Sequence, residues 1–183
     1  QVGARNQAGV RRSLATQIIL SAALTVLLTA LALGLSTLEN LFPVTLVIPL
    51  PGVKLGLANI VTVFALYQLG PLPALCILAA RCLLGSLFAG NASALLFSLL
   101  GGTLAMLVML ALSRLPGLSV YGVSIGGAAA HNIGQMAAAV ITLGSTMVLG
   151  YLPFLLAVSL FTGALTGFIT ALLLRATRHI RFH

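Results

Sequence analysis

The chain has 183 residues, of which 60% are hydrophobic and only 5% charged. With a mean hydropathy of +1.19, it lacks the charge that dresses a soluble domain. Its net charge of +8 comes from nine basic residues against one acidic residue. Those basic residues gather toward the ends, Arg5, Arg11 and Arg12 at one and Arg175, Arg178 and Arg181 at the other. They read as topogenic charges that hold loops and ends in the cytoplasm, and not as a nucleic-acid-binding face.

A bilayer crossing takes about 20 apolar residues, so the chain predicts a single, all-α integral membrane domain over residues 1–183, a bundle of about six spans. The spans are expected at about residues 14–36, 55–70, 72–88, 94–113, 123–149 and 152–175. Both ends and Arg114 then fall on one side, which predicts cytoplasmic termini. No short apolar stretch with a cleavage site stands apart from the first span, so no removable signal peptide is expected.

After the first span, Glu39-Asn40-Leu41-Phe42-Pro43 and Ile48-Pro49-Leu50-Pro51-Gly52 are too broken by proline for a continuous helix. They predict an outer loop or re-entrant cap. Gly70-Pro71-Leu72-Pro73 predicts a tight inner turn before the third span, and Pro116-Gly117 a short inner loop after the fourth. Small residues four apart, Ser21/Thr25/Thr29, Gly122/Gly126 and Gly163/Gly167, let helix backbones approach closely in lipid. Within one chain they pack helices; on an outer face they would dock a partner.

Polar groups are costly in a membrane, which makes the few present the candidates for function. They are Glu39, Asn40, Lys54, Asn59, Arg81, Asn91, His131, Asn132 and Gln135. His131 and Gln135 lie one helical turn apart with Asn132 beside His131, a group that either faces a common cavity or bonds neighbouring helices together. Arg81 lies near mid-span, too deep for a topogenic charge. It needs an anionic ligand, backbone carbonyls or a route out to the interface. In Gly52-Val53-Lys54-Leu55-Gly56, two glycines flank a lysine just before a helix, where exposed amides favour an anion and lysine also meets lipid phosphate.

Several chemistries are excluded by what is missing. There is no P-loop, so the chain does not hydrolyse ATP by that route. With no Asp and a single Glu, one chain offers neither a carboxylate pair nor a carboxylate-held magnesium cluster. His131, Cys76 and Cys82 lack zinc-ligand spacing, and no metal or cofactor is expected. Gly122-Val123-Ser124-Ile125-Gly126 matches the Gly-x-Ser-x-Gly pattern of serine hydrolases. His131, however, lies about 10 Å further along the same helix at 1.5 Å per residue, too far for a Ser-His pair. The chain is therefore expected not to be an enzyme.

The run Leu50-Pro51-Gly52-Val53-Lys54-Leu55-Gly56-Leu57-Ala58-Asn59, then Arg81, Gly90-Asn91, Ser98-Leu99-Leu100-Gly101-Gly102 and His131-Asn132-Ile133-Gly134-Gln135, resembles the Gx transporter family. That family is commonly labelled heptaprenyl diphosphate synthase component I and is similar to the S components of energy-coupling factor transporters. The resemblance implies a six-helix S-component-like fold and a ligand pocket toward the outer face. It also implies a separate module of one transmembrane coupling protein and two ATPases. On this reading Glu39, Asn40, Lys54 and Asn59 line the mouth, with Arg81, Asn91, His131, Asn132 and Gln135 below, around a small anionic or isoprenoid-related molecule. S components often dock through Ala-x-x-x-Ala motifs on the first span; here Ser21, Thr25 and Thr29 fill that spacing. Prenyl elongation as usually catalysed needs Asp-rich magnesium sites, so the synthase label would make this chain a non-catalytic accessory of isoprenoid or quinone metabolism. An accessory of a membrane redox assembly is a further form of that alternative.

Overall fold

The computed structural model describes residues 2–41, 56–90 and 92–178. Six α-helices follow one another: α1 (Val2–Leu41), α2 (Asn59–Gln68), α3 (Pro71–Ala89), α4 (Ala92–Ser113), α5 (Val120–Leu143) and α6 (Leu152–Ala176), with a 3-10 helix at Thr146–Tyr151 leading into α6. No strand occurs among the described residues. Four segments are long and apolar enough to cross a membrane: Gly9–Glu39, Pro71–Ala89, Ala92–Ser113 and Thr146–Ala176. The chain is a multi-pass, all-helical membrane protein. Large side chains such as Ile18, Leu27, Leu87 and Phe161 stand exposed on the outer faces, as expected where lipid is the solvent.

The two remaining helices depart from the expected spans for different reasons. α2 has 10 residues, about 15 Å of helix against a hydrocarbon core of about 30 Å. α5 is 24 residues long, but His131, Asn132, Gln135 and its many small residues keep it out of the most apolar class.

The expected boundaries shift in three places. Glu39, Asn40 and Leu41 belong to α1 and not to the loop. The second span does not start at residue 55: Gly56 has φ 85° and opens a turn through Leu57 and Ala58 before α2 begins. The fifth helix ends at Leu143 and not at residue 149. Gly144 turns left-handed with φ 64°, its N–H bonds Val140 O at 2.9 Å, and Ser145 Oγ accepts from Met147 N–H to start the 3-10 helix. The rest of the proposed outer cap, residues 42–55, lies outside the described residues.

α2 is the centre of the bundle. Every residue from Asn59 to Leu66 is buried, and the helix touches each of the other five. α4, α5 and α6 pack in series, while α1 leans on α3 and α2. The close packing relies on glycine: a Cβ at Gly163 would stand 2.6 Å from Ile125 Cα, and one at Gly167 2.9 Å from Tyr121 Cα. The Gly163/Gly167 stripe therefore joins α6 to α5 within the chain.

Two apolar clusters form the core. One gathers Leu28, Val61, Val63, Phe64, Leu66, Ile77, Met106, Met109 and Val123; the other Phe97, Met136, Ala138, Ala139, Val148 and Leu155. On α4 and α5 they are separated by the turns carrying Gly101, Gly102, His131 and Gln135. That interval holds the polar residues.

A buried polar layer at the start of the central helix

Glu39, Asn59, Arg81, His131 and Gln135 all lie less than one-tenth exposed. They come from α1, α2, α3 and α5, and they meet around the turn that opens α2. Glu39 sits near the end of α1. Its Oε1 accepts hydrogen bonds from the N–H of Gly56 and from the N–H of Leu57, the latter at 3.3 Å. These amides have no helical partner of their own, so a carboxylate is the natural acceptor. Within the turn, Asn59 N–H donates to Gly56 O at 2.9 Å and Ile60 N–H to Leu57 O at 3.0 Å.

Arg81 Nη2 donates to Asn59 Oδ1 at 2.9 Å. The Glu39 carboxylate is close enough to act electrostatically on the guanidinium. Arg81 Nε is buried without a hydrogen-bond partner. On α5, the Nε2 atoms of His131 and Gln135 lie 3.0 Å apart, the one-turn pairing that their spacing implies.

Consecutive glycines on α4 make room for both halves of the layer. A Cβ at Gly101 would stand 3.0 Å from the His131 ring and 3.1 Å from Gln135 Cγ, while one at Gly102 would stand 3.5 Å from Arg81 Nη2 and crowd Leu78. Gly56 brings the halves together: a Cβ there would lie 3.0 Å from Asn59 Nδ2 and 3.4 Å from His131 Cδ2. A side chain at any of the three would push into the layer.

The expected site is thus only partly assembled. Glu39, Asn59, Arg81, His131 and Gln135 come together. Asn132 turns away, its Nδ2 donating to Leu155 O on α6 at 2.8 Å, so it ties helices instead of facing the layer. Lys54 and Asn91 lie outside the described residues, as does the Asn40 side chain. At Gly56 and Leu57 the amides are met by the chain's own Glu39.

Sequence reasoning missed the amides of Gly56 and Leu57 as partners of Glu39, although a lone acidic residue seventeen positions before a glycine-rich helix start was the available signal. It also passed over Thr62 and Thr170, whose hydroxyls, like that of Ser124, are buried without hydrogen-bond partners. Ser124, the serine of the Gly-x-Ser-x-Gly match, packs its Cβ against Gly167 on α6. Among the described residues no group of three or more His, Cys, Asp or Glu could hold a metal ion.

Ser21 and Thr25 line a groove of about 490 Å³ between α1 and α3, opposite Leu72, Pro73 and Cys76. Thr25 Oγ1 donates to Ser21 O at 2.7 Å and Thr29 Oγ1 to Thr25 O at 2.8 Å. Their hydroxyls are spent within α1, and what the stripe offers a neighbour is shape.

Neither a curated protein nor a solved structure matches the chain. Residues 28–173 match the family model described as heptaprenyl diphosphate synthase component I. That match covers α2 to α5 whole, the C-terminal part of α1 and nearly all of α6, and includes all five members of the polar layer; the chain belongs to this family.

Proposed function

We propose that this chain is the substrate-binding membrane subunit of an energy-coupling factor type uptake transporter, with a small anionic or isoprenoid-related substrate. The observation that carries the reading is the buried layer of Glu39, Asn59, Arg81, His131 and Gln135 around the start of α2. Ionisable and amide side chains inside a membrane bundle are expensive, and a ligand site is a standing reason to keep them there. With a single acidic side chain the protein works by binding and not by catalysis. An ATP-driven partner, one coupling protein with two ATPases, supplies the energy that a chain without a P-loop cannot.

In this reading all six helices are membrane elements. α2 is a short central helix, and α5 crosses with its polar side turned inward. The chain sits in the bacterial cytoplasmic membrane. Arg11 and Arg12 in the N-terminal part of α1, Arg114 after α4 and Arg175 with Arg178 at the end of α6 then share the cytoplasmic side. The polar layer, at the end of α1 and the start of α2, then lies toward the outer side of the bundle.

The family description favours a second reading, a non-catalytic accessory that presents an isoprenoid or its diphosphate to a prenyl synthase. Native mass spectrometry of the protein purified mildly from its host separates the two. Recovery with a coupling protein and two ATPases, together with a retained small molecule, is the expected result. Recovery with a prenyl synthase, or alone with an isoprenoid, replaces the transporter reading with the accessory.

A further inference from the structure

The chain owns one acidic side chain and spends it on the turn that opens its central helix. Glu39 lies 3% exposed with its carboxylate on the amides of Gly56 and Leu57. Beside it, Arg81 is 8% exposed and gives Nη2 to Asn59, while its Nε finds no acceptor. A guanidinium has five donors in a fixed fork, and leaving one unmet in a buried site carries a desolvation cost. The Glu39 carboxylate, tethered to α1, satisfies the amides and does not reach that donor.

We propose that Glu39 is a built-in substitute for the acidic group of the substrate: a carboxylate or phosphate on the incoming molecule takes over the amides of Gly56 and Leu57, engages Arg81 Nε, and drives Glu39 out. This deepens the substrate-binding reading and rests on it. Arg81 then has an anionic group in its neighbourhood in both states, Glu39 in the empty one and the substrate's acidic group in the occupied one. A neutral ligand cannot make the exchange, so the competition selects for charge.

The test uses the full chain in maltoside micelles free of phosphate, titrated calorimetrically with inorganic diphosphate and, separately, with succinate. Removing a charge-assisted competitor is expected to tighten binding of one of these probes by about tenfold or more in Glu39→Gln. Which probe responds distinguishes phosphate from carboxylate. The gain disappears in the Glu39→Gln, Arg81→Gln double variant; a gain that survives removal of Arg81 overturns the proposal.

Because no Asp and no second Glu are present, ¹³C-glutamate labelling isolates the Glu39 carboxylate stretch in the infrared spectrum of the unaltered protein. Its band shifts when the responding probe is added. An unmoved band, or equal or weaker binding by a folded Glu39→Gln chain, makes Glu39 a plain helix cap and sinks the idea. If Glu39→Gln does not fold, the infrared measurement decides alone. A host molecule retained by the unaltered chain alongside an unmoved band removes the substitute and leaves the substrate-binding reading standing. No retained molecule and no binding of either probe remove both.

Discussion

Arg81 on α3 and Asn59 on α2 share a hydrogen bond of 2.9 Å in a layer sealed from the surroundings. The bond clamps the start of the central helix to its neighbour. It also fixes which way the amide of Asn59 points, since the Oδ1 must face the guanidinium. Truncating either partner strands the other in a place without water. Asn59→Leu is expected to cost about 3 kcal/mol or more, because it leaves a charge with one acceptor fewer. Arg81→Met is expected to cost about 1–3 kcal/mol through the unmet amide. The double variant should be milder than the sum, with a coupling of about 0.5–3 kcal/mol. Chemical unfolding in detergent of the four proteins measures it. Strict additivity would mean that the bond holds nothing together.

Much of the architecture could be read directly from the chain, because lipid makes long apolar helices nearly the only solution. α3, α4 and α6 begin and end within a few residues of the expected spans. The misreadings have local causes. Gly144 and Ser145 end α5 with ordinary capping chemistry, but they sit inside apolar sequence where hydropathy alone runs on to Leu149. Glu39 is expected in a loop because prolines follow it, whereas it is helical and buried against amides from a distant turn. Backbone partners leave no mark in side-chain patterns. Asn132 was grouped with His131 by adjacency, yet residues next to each other on a helix point about 100° apart, and this one faces α6.

That divergence separates binding from packing on one helix. Arg81→Ala and His131→Ala are expected to reduce retention of the co-purified small molecule by more than they lower thermal stability. Asn132→Ala should do the reverse, since an interhelical hydrogen bond in a membrane protein is worth about 0.6 kcal/mol and at most about 1.7. Thermal unfolding paired with mass-spectrometric ligand occupancy reads both effects. Equal occupancy in all three variants would discard the layer as a ligand site.

Gly56 and Gly134 should both resist substitution, for different reasons. At Gly56, φ 85° disfavours any side chain, by about 1–2 kcal/mol for a residue held left-handed. The new Cβ would also press on Asn59 and His131. At Gly134 the obstacle is backbone: a Cβ would stand 2.7 Å from Leu100 C and 2.8 Å from Gly101 Cα. Gly134→Ala must therefore part α4 from α5, costing about 1–3 kcal/mol or more. Gly34→Ala, with nothing within 4 Å, is the control and should not lower stability. Only Gly56→Ala should change ligand retention beyond its effect on unfolding. If Gly134→Ala is as stable as the unaltered chain, α4 and α5 do not meet as closely as described.

The stripe on α1 poses a question of partners more than of folding. α1 has 40 residues, about 60 Å of helix, and residues 9–20 are exposed along their whole length. Ser21 and Thr25 face the groove toward Leu72, Pro73 and Cys76. Since the threonine hydroxyls already bond within the helix, Thr25→Val should change neither stability nor assembly. Ser21→Phe fills the groove and should sharply lower recovery of a coupling protein, while leaving the small molecule bound to the isolated chain. Affinity purification from the host, scored separately for protein partner and for ligand, gives both readings. Full partner recovery with Ser21→Phe would reduce the stripe to a packing face between α1 and α3, and docking would have to be sought elsewhere on the bundle.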